Sequence, residues 1–280
     1  MFPKIPEVDI LYFVYVILLG LILGSFVGLA VVRIPEGESL VRPRSHCRKC
    51  GHTLSWFENI PIFSYLALRG KCRQCEAQIS PRYLIIELVT TLLTVFAFWK
   101  IQPWQRFVLF QFLLIFPLIL LMFLDWFKLI LPDAITLPGI AFGFLAHFLD
   151  GKFFQFPSLA PSTFSLLLDS LLGALAGSLT LFLLALAYQK LRKREGLGGG
   201  DVKLAAMLGA FFGWKAVFFI FFLASVAGTL FGVLMIVLKR FSKETPLPFG
   251  SFLSAAALLY LFYGELLLSA YLGLFKINYN

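Results

Sequence analysis

Residues 10–32 read ILYFVYVILLGLILGSFVGLAVV, with no charge between Asp9 and Arg33. A helix of about 20 apolar residues crosses the roughly 30 Å hydrocarbon layer of a bilayer, so this stretch alone predicts a membrane span. It is too long for the apolar core of a cleaved secretory signal. The residues ahead of it carry one Lys4 against Glu7 and Asp9, and no small-x-small cleavage site follows. The stretch therefore reads as a permanent first helix.

Further apolar runs fall at 83–99, 107–124, 134–149, 166–188, 202–213, 215–238 and 250–274. Those at 134–149 and 202–213 are short for a bilayer. Hydrophobic residues make up 60% of the chain and charged residues 14%, against roughly 25% charged in soluble domains. The expected fold is an all-α polytopic membrane protein of about eight transmembrane helices. The net charge of +9 does not point to nucleic acid, because in a membrane protein the placement of charge matters more than its sum. The 33 Phe fit lipid-facing helices.

Basic residues orient the chain. With the N-terminus outside, the loops at about 33–82, 125–133, 189–203 and 239–249 face the cytoplasm. They hold most of the Lys and Arg, including Arg33, Arg42, Arg44, Arg48, Lys49, Lys71, Arg73, Lys128, Lys190, Arg192, Lys193, Arg194, Lys203, Lys239, Arg240 and Lys243. The other side has Lys4, Lys100, Arg106, Lys152, Lys215 and Lys276. This asymmetry follows the positive-inside rule, and it needs the short 202–213 run to cross. Three regions result: a first helix at 1–32, a cytoplasmic insertion at 33–82, and a helical core at 83–280. Small residues recur four apart at Gly20, Gly24 and Gly28, at Gly139 and Gly143, at Gly173 and Gly177, and at Gly228 and Gly232. This spacing lets helices approach closely in lipid.

All four cysteines lie in the insertion, as Cys47-x-x-Cys50 and Cys72-x-x-Cys75. Each pair makes a knuckle whose thiolates face one ion, and two knuckles supply the four soft ligands of tetrahedral zinc. A cytoplasmic location disfavours the alternative of two disulfides. A closed four-thiolate site leaves no position for water, so the zinc is expected to be structural, in a ribbon-like module too small to fold on its core alone. His46 and His52 flank the first knuckle and read as surface histidines. His147, in an apolar run, reads as a hydrogen-bonded structural residue.

The acidic residues in or beside apolar runs are Glu87, Asp125, Asp133, Asp169, Asp201 and Glu265. A carboxylate at membrane depth is a functional candidate. Asp169 and Glu265 fall near outer ends, where water solvates them. Asp125 ends one run and Asp201 follows Gly198-Gly199-Gly200, both on the expected cytoplasmic side. Two close carboxylates share a proton; one then takes a proton from water while the other polarises a carbonyl. Which does which stays open. The glycines ahead of Asp201 let a substrate strand approach, or form a loop that Asp201 caps. Asp133 either caps the next helix or acts on the pair as a like charge. Lys203 either pairs with a carboxylate or reaches headgroups.

Several stretches, in order, carry a resemblance. They are Gly24-Ser25-Phe26, Arg33-Ile34-Pro35, Arg44-Ser45-His46-Cys47 to Cys50-Gly51-His52, Glu58-Asn59-Ile60-Pro61, and Arg69-Gly70-Lys71-Cys72 to Cys75. Further along come Ile79-Ser80-Pro81-Arg82-Tyr83 with Glu87, Asp125 with Leu131-Pro132-Asp133, Gly198-Gly199-Gly200-Asp201-Val202-Lys203, and Pro248-Phe249-Gly250. In these the chain resembles the type IV prepilin leader peptidase/N-methyltransferases. The resemblance implies an inner-membrane enzyme that cuts the basic leader from type IV prepilins or pseudopilins at the cytoplasmic face. It also implies methylation of the new N-terminal residue with S-adenosylmethionine. Asp125 and Asp201 match the family's catalytic aspartates, with Gly198, Gly200, Lys203 and Asp133 in the surrounding motifs. Cys47, Cys50, Cys72 and Cys75 match its cysteine motif. No Gly-x-Gly-x-x-Gly loop is present, so the residues themselves locate no donor site. The family usually has Asn where Gly28 stands and a second Pro where Ser251 stands. Gly28 is the one support for a peptidase lacking methyl transfer. A transporter would place its carboxylates nearer the bilayer midplane, and a non-catalytic scaffold gives no reason for two at matched depth.

Overall fold

Helix α1 (Ile10–Arg33) opens the structure, a computed structural model that describes residues 10–148, 163–193, 197–242 and 245–274. Lys4, Lys152, Arg194, Lys243, Lys276 and most of the loop expected at 150–165 lie outside the described residues, as does the side chain of Glu265. Described elements then run α2 (Phe63–Ala67), α3 (Arg82–Lys100), α4 (Trp104–Phe110), α5 (Phe116–Lys128), α6 (Asp133–Phe148), α7 (Thr163–Arg192), α8 (Gly199–Val237) and α9 (Phe249–Leu274). A π-turn at Gln111–Ile115 joins α4 to α5. Among the described residues there is no strand, only isolated bridges at His46/Thr53 and Lys71/Gln78.

Among the described residues, five helical stretches are long and apolar enough to cross a membrane: Ile10–Glu36, Arg82–Lys100, Trp104–Lys128, Leu166–Leu191 and Gly199–Val237. The remaining expected runs are helical too. The 134–149 run is the 16-residue α6, 250–274 is α9, and 202–213 and 215–238 are the two arms of α8. Packing divides the chain into Met1–Phe107 and Val108–Asn280. Helix α3 therefore stands in the first unit with α1 and the cysteine insertion.

In the first unit the glycine ladder is a helix contact. A Cβ at Gly20 would lie 2.8 Å from Thr91 Cα, one at Gly24 would lie 2.8 Å from Glu87 Cα, and one at Gly28 would lie 3.2 Å from the Tyr83 ring. Backbones this close gain dispersion contacts that lipid cannot replace. Helix α1 gives way at Pro35 to a short turn closed by Gly37 at φ +67. Buried Arg33 reaches past that turn and donates to Ser39 O at 2.8 Å and Pro43 O at 2.7 Å.

In the second unit α8 is the axis. Its first arm is buried without interruption from Leu204 to Gly213. A Cβ at Gly177 would lie 2.6 Å from Ala205 O, and one at Gly143 would lie 2.8 Å from Ala210 Cβ, so α6 and α7 press directly on this arm. An arm surrounded by protein does not need the length that a lipid-facing helix needs. The helix breaks at Gly213, with φ 79 and ψ 173. A break at membrane depth must satisfy its freed backbone groups within the protein. Ser170 Oγ donates to Ala210 O at 2.6 Å, His147 Nε2 donates to Phe211 O at 3.0 Å, and the Asp169 carboxylate accepts the Trp214 N–H. His147 thus has the structural role its sequence context suggested, and Asp169 is a helix cap.

Candidate active site and metal centre

Asp125 lies in the last turn of α5, which closes at left-handed Leu129 as its N–H bonds Asp125 O at 2.9 Å. The residue is 5% exposed. Its Oδ2 accepts the Ser251 backbone N–H at 2.6 Å and lies 3.0 Å from the Ser251 hydroxyl. Ser251 stands in the first turn of α9, directly after Pro248-Phe249-Gly250. In the sequence Ser251 stands out only as a departure from a family pattern. The available signal was its place beside that motif.

Asp201 lies in the first turn of α8 and is 9% exposed. Its Oδ2 accepts the Gly198 N–H at 3.3 Å, while Oδ1 is buried with no protein partner. The two carboxylates are brought together across Leu131. A Cβ at Gly200 would lie 2.8 Å from Leu131 Cβ. One at Gly250 would lie 2.7 Å from Leu131 Cδ1 and 3.1 Å from Asp125 Oδ2. Asp125 stands near enough to Asp201 for the two charges to interact through space. Space favours glycine at both positions, since a Cβ at 200 would press on Leu131 and one at 250 on both Leu131 and Asp125. Asp133, in the first turn of α6, receives Lys203 Nζ at 2.6 and 2.7 Å on its two oxygens. This pair ties the start of α6 to the start of α8, and of the two roles open to Lys203, pairing with a carboxylate is the one realised.

The four cysteines converge in the first unit. Their sulfurs all lie within 4.8 Å of one another, with Cys47 to Cys75 at 3.8 Å and Cys50 to Cys72 at 4.0 Å. Tetrahedral zinc with Zn–S of about 2.3 Å spaces its ligands by about 3.8 Å, so the cluster fits zinc. Each knuckle closes on the first cysteine: Gly51 N–H bonds Cys47 O at 2.8 Å, and Glu76 N–H bonds Cys72 O at 3.0 Å. Both closing residues are left-handed, at φ +74 and φ 53. Glycine takes this conformation freely and Glu76 does not. Glu76→Gly is expected to stabilise the loaded module by about 1 kcal/mol, read as tighter metal retention in chelator competition.

Backbone N–H groups of Cys50 and Lys49 aim at Cys47 and hold its thiol down to about 6. At Cys50 a backbone N–H at His52 pulls the same way. Burial and the neighbouring Cys75, Cys47 and Cys72 sulfurs outweigh it and push the thiol up to about 11. N–H groups at Cys75 and Gln74 lower Cys72. His46 and His52 stay outside the cluster. His52 meets Glu58 at 3.2 Å, and Glu58 also accepts the Ser55 N–H at 2.8 Å, which holds its carboxyl below the usual range. Glu87 accepts the Ile62 N–H at 2.6 Å, pinning a residue at φ 65. Beside the module is an open cavity of about 390 Å³, lined among others by Arg33, Arg44, Ser55, Trp56 and Asn59.

The class of the protein is given by its relatives. Residues 18–101 match the bacterial peptidase A24 N-terminal domain, and residues 112–233 match the type IV leader peptidase family. The chain belongs to the type IV leader peptidase family, and it is a membrane peptidase. It is 36% identical to the prepilin leader peptidase/N-methyltransferase of Aeromonas salmonicida over 289 residues, covering 94% of each chain. The protein of that description from Pseudomonas aeruginosa is 36% identical over 280 residues, 91% of this chain and 92% of the relative. No solved structure matches.

Proposed function

We propose that this enzyme removes the leader peptide of type IV prepilins or pseudopilins at the cytoplasmic face of the bacterial inner membrane, with Asp125 and Asp201 as its catalytic pair. The observation that carries this reading is the convergence of two buried carboxylates on α5 and α8, with Gly200 and Gly250 packed on the Leu131 side chain beside them. Such a pair shares one proton. The ionised member takes a proton from water, the water oxygen attacks the scissile carbonyl, and the protonated member donates to the carbonyl oxygen. Collapse of the tetrahedral species returns a proton to the leaving amine. No cofactor is needed for this half of the reaction. The basic loops support this orientation, with the N-terminus outside.

The second half is methylation of the new N-terminal amine, with S-adenosylmethionine supplying the methyl group. The names of the relatives support it. Residues 33–82 are its module, with Cys47, Cys50, Cys72 and Cys75 holding structural zinc. The cavity at Arg33 is the candidate donor site, because its lining combines aromatic Trp56 with basic Arg33 and Arg44, residue types that suit a purine and a carboxylate. Gly28, where the family usually has Asn, packs α1 against Tyr83, and the gain of a methyl mass tests whether methylation is retained with glycine there.

The test is intact mass of a purified prepilin incubated with the enzyme in liposomes, with and without S-adenosylmethionine. The expected product has lost its leader and gains one methyl mass only with the donor. Trp56→Ala is expected to weaken donor binding by calorimetry about tenfold and to leave cleavage intact. A product that never gains the methyl mass would leave a peptidase alone.

A further inference from the structure

The two aspartates are held unequally. Asp125 Oδ2 receives the Ser251 N–H at 2.6 Å and has the Ser251 hydroxyl at 3.0 Å. That hydroxyl also lies 2.8 Å from Met122 O, so its one proton is shared between a neutral carbonyl and a carboxylate. Hydrogen bonds to an ionised acceptor are the stronger kind, and a charged Asp125 draws the proton to itself. Asp201 has one N–H at 3.3 Å on Oδ2 and a buried Oδ1 with no protein partner. A buried oxygen without a donor is costly as part of an anion, and far less so as an O–H free to donate.

Helix ends do not reverse this inequality. Asp201 stands in the first turn of α8, which favours negative charge. Asp125 faces the unfavourable last turn of α5 but also the favourable first turn of α9, and α9 acts on it through direct contact with Ser251 N–H. A short contact to the charged atom outweighs a dipole acting at greater range.

We infer that Ser251 is a positioning residue that holds Asp125 as the ionised member of the pair, so that Asp125 takes the proton of the attacking water and Asp201 donates to the substrate carbonyl. The balance closes over one turnover. The water proton moves to Asp125 and then to the leaving amine. The Asp201 proton moves to the carbonyl oxygen and returns as the tetrahedral species collapses. Proline, which the resembled family usually has at this position, supplies neither donor, so the device belongs to this chain. The inference rests on the aspartate-pair reading above.

The experiment uses the full enzyme in nanodiscs with a prepilin substrate. Ser251→Ala removes the hydroxyl, Ser251→Pro removes both donors, and Ser251→Thr restores both. Proline is tolerated in a first helical turn. The expected kcat falls about threefold to tenfold for Ala and further for Pro, with Thr about equal to wild type and KM about unchanged throughout. Infrared spectra of Asp-labelled enzyme at neutral pH give a readout that packing would not move. In the difference spectrum against the Asp125→Asn/Asp201→Asn double variant, which cancels every other Asp, the pair's protonated-carboxyl band is expected to survive Asp125→Asn, because burial alone keeps the acid at 201 neutral, and to vanish in Asp201→Asn. Wild-type kcat in both Ala and Pro, or a Thr variant as slow as Ala, would overturn the role of Ser251. A band that survives Asp201→Asn and vanishes in Asp125→Asn would reverse the assignment. Failure of the wider reading looks different, because leader removal would then survive Asp125→Asn.

Discussion

Asp125→Asn and Asp201→Asn are each expected to lower the rate of leader removal by about a thousandfold or more, while the helices stay folded. Asn keeps the shape of Asp and a carbonyl oxygen. At position 125 that oxygen still accepts the Ser251 N–H that ties α5 to α9. At position 201 it still accepts from Gly198. What Asn lacks is an oxygen that takes up and releases a proton at neutral pH, which is the work assigned to the pair. The two residues act as one unit, so the double variant is expected to be no slower than either single one. The measurement is intact mass of the prepilin over time, with thermal unfolding as the control for folding. Cleavage near the wild-type rate in either variant would remove the pair from the mechanism.

Removal of metal is expected to have the second largest effect, and on a different unit. Zinc binding to a small module supplies much of its folding free energy, roughly 10 kcal/mol or more in isolated fingers. Cys72 is 4% exposed and is the most buried of the four sulfur ligands. Cys72→Ser or chelation is expected to take bound zinc from one per chain to none, to expose the chain around residues 40–80 to protease, and to abolish methyl transfer. Cleavage is expected to survive better, because Asp125, Asp201 and Ser251 all lie in the second unit.

The pH dependence of metal binding has a definite sign. Thiolates bind and thiols do not. Cys50, at about 11, enters as a thiol at neutral pH and must release its proton to bind. Cys47, at about 6, is already a thiolate at neutral pH and joins the proton count only as pH falls toward that value. Affinity therefore falls as pH falls, by about tenfold per pH unit for each proton released, and more steeply below pH 6. Metal affinity independent of pH between 6 and 8 would contradict this account.

Much of this was written in the sequence. Uninterrupted apolar length announced the helices, because a bilayer leaves few other solutions for such a run. Cysteine spacing announced the cluster of four sulfurs, because two residues between thiols is the span of one knuckle. Asp125, Asp201 and the glycines near them were legible because charge is rare in this chain and each charge at depth needs a reason. Packing alone decided the rest. The short run at 202–213 reads poorly as a span, and only the enclosure of the first arm of α8 by other helices accounts for its length. Asp169 reads as a solvated end residue, and only the break at Gly213 turns it into a cap. Lys203 had two open roles, and the fold chose Asp133, far away in sequence. Ser251 stands in sequence far beyond Asp125, and nothing local to either residue signals their contact. A side chain's partner across such a distance is set by how helices cross, and that is a property of tertiary packing.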